Sequence, residues 1–280
     1  MLFTYSEWDK FCSALAGNGV LSVTAESILK SSFQDDFKQV RFVNIKHDVE
    51  ATPVKALDLA RIEAKYGHRS SYYVQAYLMT DANLEIFREI QRLGHEVTYH
   101  HDVMDCAKGD LQLALELYKE NVSRFEGYGF PIVTVCQHGN PASQYENRDF
   151  FRSEDIQKLL PGQADIMVNF MSKSRCCYTY ISDVGMEFKI VTDPVNSDKV
   201  KESEKYIVLG EPSQVVQTIC NNPEISYIVS AHPHRYNRTR FKARLRKALF
   251  FSLKSIAKLL FKIPGVKRFV FRFSSITKYL

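Results

Sequence analysis

The sequence lacks several features that mark specialised classes of protein. Its 280 residues include six cysteines but no C-x-x-C pair, and the chain is too long for a small fold held together by disulfides. It does not open with a basic stretch followed by a long apolar run, so we expect no secretory signal. Mean hydropathy is −0.24, which excludes a polytopic membrane protein. These absences predict a cytoplasmic protein with free thiols and one large core.

Acidic residues are missing from the last part of the chain. Residues 225–280 contain 14 lysines and arginines and no aspartate or glutamate. The first 224 residues hold 23 basic and 32 acidic residues, a net charge of −9, although the whole chain has a charge of +5. The sequence therefore predicts an acidic body followed by a strongly basic segment.

Apolar periodicity predicts strands that alternate with helices over the first half of the chain. Such alternation is typical of a parallel sheet with crossover helices, in barrel or open form. Further strands are predicted, on weaker patterns, in the second half. The predicted strands cover residues 40–49, 70–74, 95–100, 132–137, 166–170, 177–182, 188–191 and 225–230, and the predicted helices cover residues 6–16, 53–66, 81–93, 111–125 and 212–220.

Acids and histidines follow the predicted strands. Asp48 and Glu50 are two residues apart at the end of the first strand, so both point to one face. His100, His138 and His232 end or follow three other strands. Because the carboxyl ends of parallel strands share one edge, we expect these five side chains to converge. A plainer interpretation of the acid pair is a favourable charge at the start of a helix.

A carboxylate with two or three neutral imidazoles can hold a borderline divalent ion such as zinc and leave a position open for water. Bound water loses a proton far more easily than bulk water. A second carboxylate can accept that proton, and a histidine across the pocket can protonate the leaving group. The predicted cluster is therefore sufficient for hydrolysis of an amide or an ester.

At these positions the chain resembles the polysaccharide deacetylase superfamily, carbohydrate esterase family 4-like, in a divergent branch. The motifs that carry the resemblance lie within about residues 40–236, and the Leu-Gly-His-Glu run is the most specific of them. They are His47-Asp48-Val49-Glu50, Leu93-Gly94-His95-Glu96-Val97-Thr98-Tyr99-His100, His138-Gly139-Asn140-Pro141, Tyr180-Ile181-Ser182-Asp183 and His232-Pro233.

The resemblance implies an α/β fold, a distorted (β/α) barrel of about seven parallel strands, and metal-dependent removal of acyl groups from amino sugars. It implies that Asp48 is the general base and His232 the general acid. Glu50 and His100 match metal ligands of the family.

The chain departs from the family at the second metal histidine, where it has Met104. Methionine is a poor ligand for a borderline ion. We expect His138 to replace it, with His101 as the other candidate. Asp183 either orients a catalytic group or caps a turn, and His234 is a further alternate that is otherwise solvated. If neither His138 nor His101 reaches the site, we expect no metal to bind.

We divide the chain into a deacetylase-like barrel domain, residues 1–237, and a basic amphipathic helical extension, residues 238–280. In the extension, basic residues cluster near one helical face and leucines on the other. This pattern suits an anionic membrane surface, and the alternatives are packing on the acidic body or a dimer contact. No nucleic-acid recognition motif is evident. The residues predicted to face the membrane are Lys247, Lys254, Lys258 and Lys262.

Three hypotheses follow from the sequence. The first is a zinc-dependent deacetylase of an amino sugar or glycan in surface-polysaccharide biosynthesis, cytoplasmic and peripheral on the inner face of the membrane. The second keeps the fold but has a catalytically altered or inactive site that binds a glycan. The third is a scaffold docked at the membrane.

Overall fold

The computed structural model describes residues 2–33, 41–140 and 143–260. The strands are β1 Val43–Val49, β2 Ser71–Val74, β3 Glu96–His101, β4 Thr134–Gln137, β5 Ala164–Asp165, β6 Thr179–Ser182, β7 Phe188–Val191, β8 Tyr206–Gly210 and β9 Tyr227–Ala231. The helices are α1 Tyr5–Gly17, α2 Ala25–Ser32, α3 Pro53–Lys65, α4 Asp81–Arg92, α5 Val103–Cys106, α6 Leu111–Gly127, α7 Arg148–Arg152, α8 Glu154–Leu159, α9 Phe170–Ser174, α10 Pro212–Asn221 and α11 Arg240–Leu260.

The nine strands form one sheet in the order β5-β4-β3-β2-β1-β9-β6-β7-β8. Every pair from β5 to β6 in this order is parallel, so seven strands run in the same direction. β7 is antiparallel to β6, and β8 is antiparallel to β7. The predicted α/β class with about seven parallel strands is therefore confirmed.

The parallel part of the sheet curves until its two sides approach each other. Tyr178, just before β6, donates a hydrogen bond of 2.5 Å from its hydroxyl to the carbonyl oxygen of Ile166, just after β5. Its ring lies 6.2 Å from that of Phe170. Among the described residues, no ladder of backbone hydrogen bonds joins β5 to β8. The sheet is thus a distorted and open barrel.

Helix α2 fills the end of this barrel at which the strands begin. Ile28 and Leu29 of α2 belong to the same apolar cluster as Tyr73 and Ile228 from the inner face of the sheet. Two larger clusters lie between the outer face of the sheet and its helices. With one end of the barrel filled, the carboxyl ends of the strands are left as the edge available for a site.

Helix α1 begins at Tyr5, one residue earlier than predicted. Thr4 is its N-cap, because its hydroxyl accepts a hydrogen bond from the Glu7 amide. Helix α4 begins at Asp81, as predicted, and Thr80 precedes it. Position 40, where the first strand was predicted to begin, lies outside the described residues.

The predicted strand at residues 166–170 is wrong. β5 ends at Asp165, whose carboxylate accepts a hydrogen bond of 2.7 Å from the Met167 amide and turns the chain. Asn169 accepts the Asp165 amide at 2.7 Å, which tightens the same turn. The apolar residues Ile166 and Phe170 are buried all the same, but in the core inside the barrel. Burial without the extended backbone explains why the apolar pattern was misleading.

The basic extension begins with helix α11, as predicted. Lys247 is partly buried, and its ammonium lies 5.9 Å from the centre of the Phe251 ring. The side chains of Lys254 and Lys258, and all of Lys262, lie outside the described part of the chain. Within the described ranges, no helix is both long enough and apolar enough to cross a bilayer. The division of the chain between residues 237 and 238 stays a prediction.

Candidate active site

The end of β1 is the centre of the site. β1 pairs in parallel with β2 on one side and with β9 on the other, in a register that sets Asp48 beside Tyr73 and Lys46 beside Ser230. Alternation along the strand sends Lys46, Asp48 and the following Glu50 to the inside of the barrel. His47 and Val49 point outward to the helices. The site is therefore built on a central strand and is supported from both sides.

Glu50, His100 and His138 form the outer part of the site. Oε1 of Glu50 lies 3.0 Å from Nδ1 of His138 and 3.6 Å from Nε2 of His100. The two imidazole nitrogens are 3.4 Å apart. Burial alone would raise the pKa of Glu50, but the adjacent His100 and His138 imidazoles hold that pKa well below its usual value. Three atoms that can act as metal ligands thus converge, and Glu50 is ionised.

The tautomer of His100 fits this group as a metal site. Nδ1 of His100 lies 3.0 Å from the carbonyl oxygen of Cys136, which can only accept, so Nδ1 carries the proton. In the neutral ring, Nε2 then keeps its lone pair toward Glu50 and His138. Metal-binding histidines commonly donate a hydrogen bond from one ring nitrogen, which orients the other nitrogen toward the metal. One carboxylate and two imidazoles are a ligand set that suits zinc.

Asp48 lies deeper and is paired with Lys46. The Lys46 ammonium lies 2.7 Å from the Asp48 carboxylate and 3.2 Å from the Tyr180 hydroxyl, with Lys46 only 1% exposed. Burial would raise the pKa of Asp48, but Lys46, His100 and His232 lower it to about 2. Asp48 is therefore a carboxylate at neutral pH, held by a buried cation.

A second group, Asp48, His100 and Cys136, also brings three ligand atoms together. Its chemistry does not suit a metal. The Lys46 ammonium already neutralises Asp48, and burial raises the pKa of the Cys136 thiol well above its usual value. A protonated thiol is not a good metal ligand. Of the two groups, the one formed by Glu50, His100 and His138 is the better candidate.

His232 faces Asp48 across the site. Its Nε2 lies 3.7 Å from the Asp48 carboxylate, and its Nδ1 lies 2.6 Å from Oδ1 of Asp183. Arg235 donates to the same Asp183 oxygen at 2.6 Å. Burial would raise the pKa of Asp183, but Arg235 and His232 hold it well below its ordinary value. Asp183 thus fixes the His232 ring, which leaves Nε2 to face the pocket.

The two alternate histidines lie elsewhere. His101 points to the outer side of the sheet, where its Nε2 lies 2.9 Å from the Asp165 carboxylate. It follows His100 directly, so strand alternation separates the two side chains. His234 is buried behind His232, with ring centres 5.7 Å apart, and burial lowers the pKa of His234 to about 3. Neither belongs to the group around Glu50.

The loop that carries His138 is held by Asn147 and Asp105. Asn147 donates to the His138 carbonyl at 2.8 Å and to Asp105 at 3.1 Å, and it accepts the amide of Met104 at 3.0 Å. Met104 itself is buried in the apolar cluster under α6. The position at which the family has a histidine therefore packs in the core, and His138 approaches from the neighbouring strand.

Four residues of the site, Lys46, Arg235, Asn147 and Gln75, were not predicted from the sequence. Lys46 was detectable, because the rule that pairs Asp48 with Glu50 also places Lys46 on the same face. Arg235 and Asn147 carried no such signal, since Arg235 contacts Asp183 and Asn147 contacts Asp105, and each of these partners is more than 40 positions away. Gln75 follows β2 at the same edge, and both polar atoms of its carboxamide are buried without a hydrogen-bond partner among the described residues.

No protein-family model and no curated protein matches the chain. A CE4 esterase from Streptococcus mutans is similar in structure over 75% of this chain and 92% of its own, with 11% identity and a TM-score of 0.42. The catalytic domain of a peptidoglycan N-acetylglucosamine deacetylase from Eubacterium rectale is similar over 71% and 79%, with 14% identity and a TM-score of 0.39. The peptidoglycan deacetylase PdaC from Bacillus subtilis is similar over 79% and 96%, with 10% identity and a TM-score of 0.36.

Proposed function

We propose that the protein is a metal-dependent deacetylase of the polysaccharide deacetylase superfamily, which removes an N-acyl group from an amino sugar or a glycan intermediate. One observation carries this proposal. A carboxylate and two imidazoles converge at the carboxyl edge of a parallel sheet, beside a second carboxylate and a histidine that faces it. This combination of groups is sufficient for the hydrolysis of an amide.

Glu50, His100 and His138 would hold the ion, which we expect to be zinc. When bound, a divalent ion there supplies a Lewis acid and lowers the pKa of water. Asp48 is ionised and accepts the proton of the attacking water. His232 gives a proton to the departing amine, and Asp183 with Arg235 keeps its ring in place. Asp48 is buried and His232 is partly buried, so bulk water has little access to either group.

We place this activity in surface-polysaccharide biosynthesis, on the cytoplasmic side and at the inner face of the membrane. The support is the basic extension, since assembly of surface glycans often uses lipid-linked intermediates. Residues 238–280 hold 13 basic residues and no acid, a charge that suits the anionic surface of a bilayer.

The test is release of acetate from N-acetylated amino sugars by the purified chain. We expect activity that a chelator removes and that zinc restores. Asp48→Asn should lower the turnover number on the order of a hundredfold or more, because the proton acceptor is lost. The matched control is Asp58→Asn, an acid of α3 outside the site, which should retain activity. Activity that survives both chelation and Asp48→Asn would refute the proposal.

A second candidate is a glycan-binding protein with an altered and inactive site. The observation that favours it is the pairing of Asp48 with Lys46, since a carboxylate with a pKa of about 2 is a weak base. This candidate predicts that an N-acetylated sugar binds equally well before and after chelation and is recovered intact. The hydrolase predicts that chelation weakens binding and that acetate appears.

A further inference from the structure

The outer face of α11 carries a row of large apolar side chains. Phe241 is 75% exposed, Leu245 is 52% exposed and Leu249 is 43% exposed. They are four residues apart, so they lie one above the other on a single face of the helix. Exposed apolar side chains that are scattered need no explanation, but a contiguous row on one helix marks an interaction site.

The opposite face of α11 attaches the helix to the body. Ala243 is 3% exposed, and Phe250 packs against the apolar cluster that contains Trp8 and Tyr236. Arg246 donates a hydrogen bond to the carbonyl oxygen of His234. Because these contacts fix the rotation of the helix, the apolar row has to point away from the body. Packing on the acidic body therefore does not account for the row.

Basic residues flank the row on both sides. Lys242 and Arg244 are exposed, and on a helix of 3.6 residues per turn they lie on opposite sides of the line through Phe241, Leu245 and Leu249. No acidic residue occurs anywhere from residue 225 to residue 280. An apolar strip between two basic borders matches the headgroup region of an anionic bilayer, where apolar groups enter and cations stay among the lipid phosphates.

We propose that α11 docks on an anionic lipid bilayer through Phe241, Leu245 and Leu249, and that this docking holds the catalytic edge of the barrel beside the membrane. The contact of Arg246 with His234 supports the second part, because His234 is two residues from His232. Lys55, at the start of α3, donates to the same His234 carbonyl at 2.9 Å. The rim of the site and the inner face of α11 thus share one point of attachment.

The location implies the class of substrate, and this step rests on the function proposed above. An enzyme held with its catalytic edge beside a bilayer meets sugars that the bilayer carries. We therefore assign it an N-acetylated amino sugar attached to a lipid, with the sugar reaching the site and the lipid remaining in the membrane.

Sedimentation with vesicles tests the docking surface. The full chain should bind vesicles of phosphatidylcholine that contain phosphatidylglycerol, should bind pure phosphatidylcholine vesicles at least tenfold more weakly, and should lose binding at high salt. The affinity of the variant Phe241→Ser/Leu245→Ser for the anionic vesicles should be lower on the order of tenfold or more. Thermal unfolding would establish that the variant is folded.

The matched control is Ile207→Ser/Val208→Ser. These two side chains of β8 are each 59% exposed, so the control removes similar apolar surface away from α11. It should bind anionic vesicles as the unchanged chain does. Failure of the unchanged chain to bind anionic vesicles, or equal loss in both variants, would overturn the proposal. So would a dimer that Phe241→Ser/Leu245→Ser converts to a monomer, because a second copy would then cover the row.

Activity separates this inference from the proposed function. On a water-soluble N-acetylated sugar, Phe241→Ser/Leu245→Ser should be as active as the unchanged chain. On the same sugar carried by a lipid in anionic vesicles, it should be on the order of tenfold less active. Equal activity of both proteins on the vesicle substrate would overturn the substrate assignment. If neither protein releases acetate from either substrate, the proposed function fails, and vesicle binding alone decides the docking.

Discussion

At the scale of single residues, the buried pair of Lys46 and Asp48 distinguishes this site. Both side chains are nearly inaccessible to water, with 1% and 9% exposure. A buried ion pair contributes little net stability compared with apolar residues, but removal of one partner leaves an uncompensated charge. The pair therefore serves to fix an ionised carboxylate at the site. We expect the effects of substituting Lys46 and Asp48 on the free energy of unfolding to be strongly non-additive.

Lys46→Met should lower the free energy of unfolding by about 3 kcal/mol at pH 7, because Asp48 is left buried and unpaired. The double variant Lys46→Met/Asp48→Asn should recover most of that loss, since neither charge remains. Chemical denaturation of the two variants and the unchanged chain gives the comparison. A Lys46→Met variant as stable as the unchanged chain would mean that Asp48 is already neutral or solvated.

Asp183 acts through His232 and is a positioning residue. Asp183→Asn should lower the turnover number on the order of a hundredfold, because the His232 ring loses the partner that fixes its orientation and proton. The Michaelis constant and the zinc content should change little, since Asp183 contacts neither Glu50 nor His138. A variant that instead loses zinc or unfolds would assign Asp183 a structural role.

The residues of the site were predictable to the extent that strand geometry determines them. Asp48, Glu50, His100, His138 and His232 each end or follow a strand, and parallel strands bring such ends together. The sequence could not show that His101 turns away toward Asp165, or that Lys46 meets Tyr180 and Ser230. Those contacts join residues 64 to 184 positions apart, and no local pattern encodes them.

At the scale of elements, Glu96 connects α2 to the start of the barrel. Its carboxylate accepts hydrogen bonds from Ser71 at 2.6 Å, from Thr134 at 2.5 Å and from the Glu26 amide at the start of α2 at 3.1 Å. Burial raises the pKa of Glu96 to about 7, although these hydrogen bonds lower it. Glu96 is therefore an acid inside the core whose protonation affects the attachment of a helix.

The folded state binds the Glu96 proton more tightly than the unfolded state does. Its contribution to stability is thus complete below the ordinary pKa of about 4.5 and is lost as the pH rises through the folded-state pKa of about 7. Glu96→Gln removes this dependence. Relative to the unchanged chain, the variant should gain up to about 3 kcal/mol between pH 5 and pH 8. Denaturation at both pH values checks this, and an equal difference at both would contradict the assignment.

The elements that the sequence did not predict depend on distant contacts. α7 has only five residues, and a helix so short is not stable by itself. It is held because Arg148 donates to the carbonyl oxygens of Pro194 and Val195 and to Asp198, about 50 positions later. Six of the seven parallel strands, in contrast, overlap predicted strands, because apolar runs that end in polar residues mark them, and only the short β5 does not.

At the scale of the whole molecule, charge and topology divide the protein into two surfaces. The carboxyl edge of the sheet gathers the ionised groups of the site, and α11 adds basic and apolar residues beside it. An ion pair of 3.2 Å between Arg240 and Glu7 joins the basic helix to the acidic body. Through the contact of Arg246 with His234, the helix that we propose to face the membrane is attached next to the proposed catalytic site.

Elemental analysis of the purified chain tests whether Glu50, His100 and His138 hold a divalent ion. We predict about one zinc ion per chain. The affinity for zinc should fall at least tenfold in His138→Ala and in Glu50→Gln. His101→Ala is the matched control, because that histidine faces the other side of the sheet, and it should retain the ion. A chain without a stoichiometric divalent ion, or one whose ion is lost with His101→Ala and kept with His138→Ala, would contradict the account.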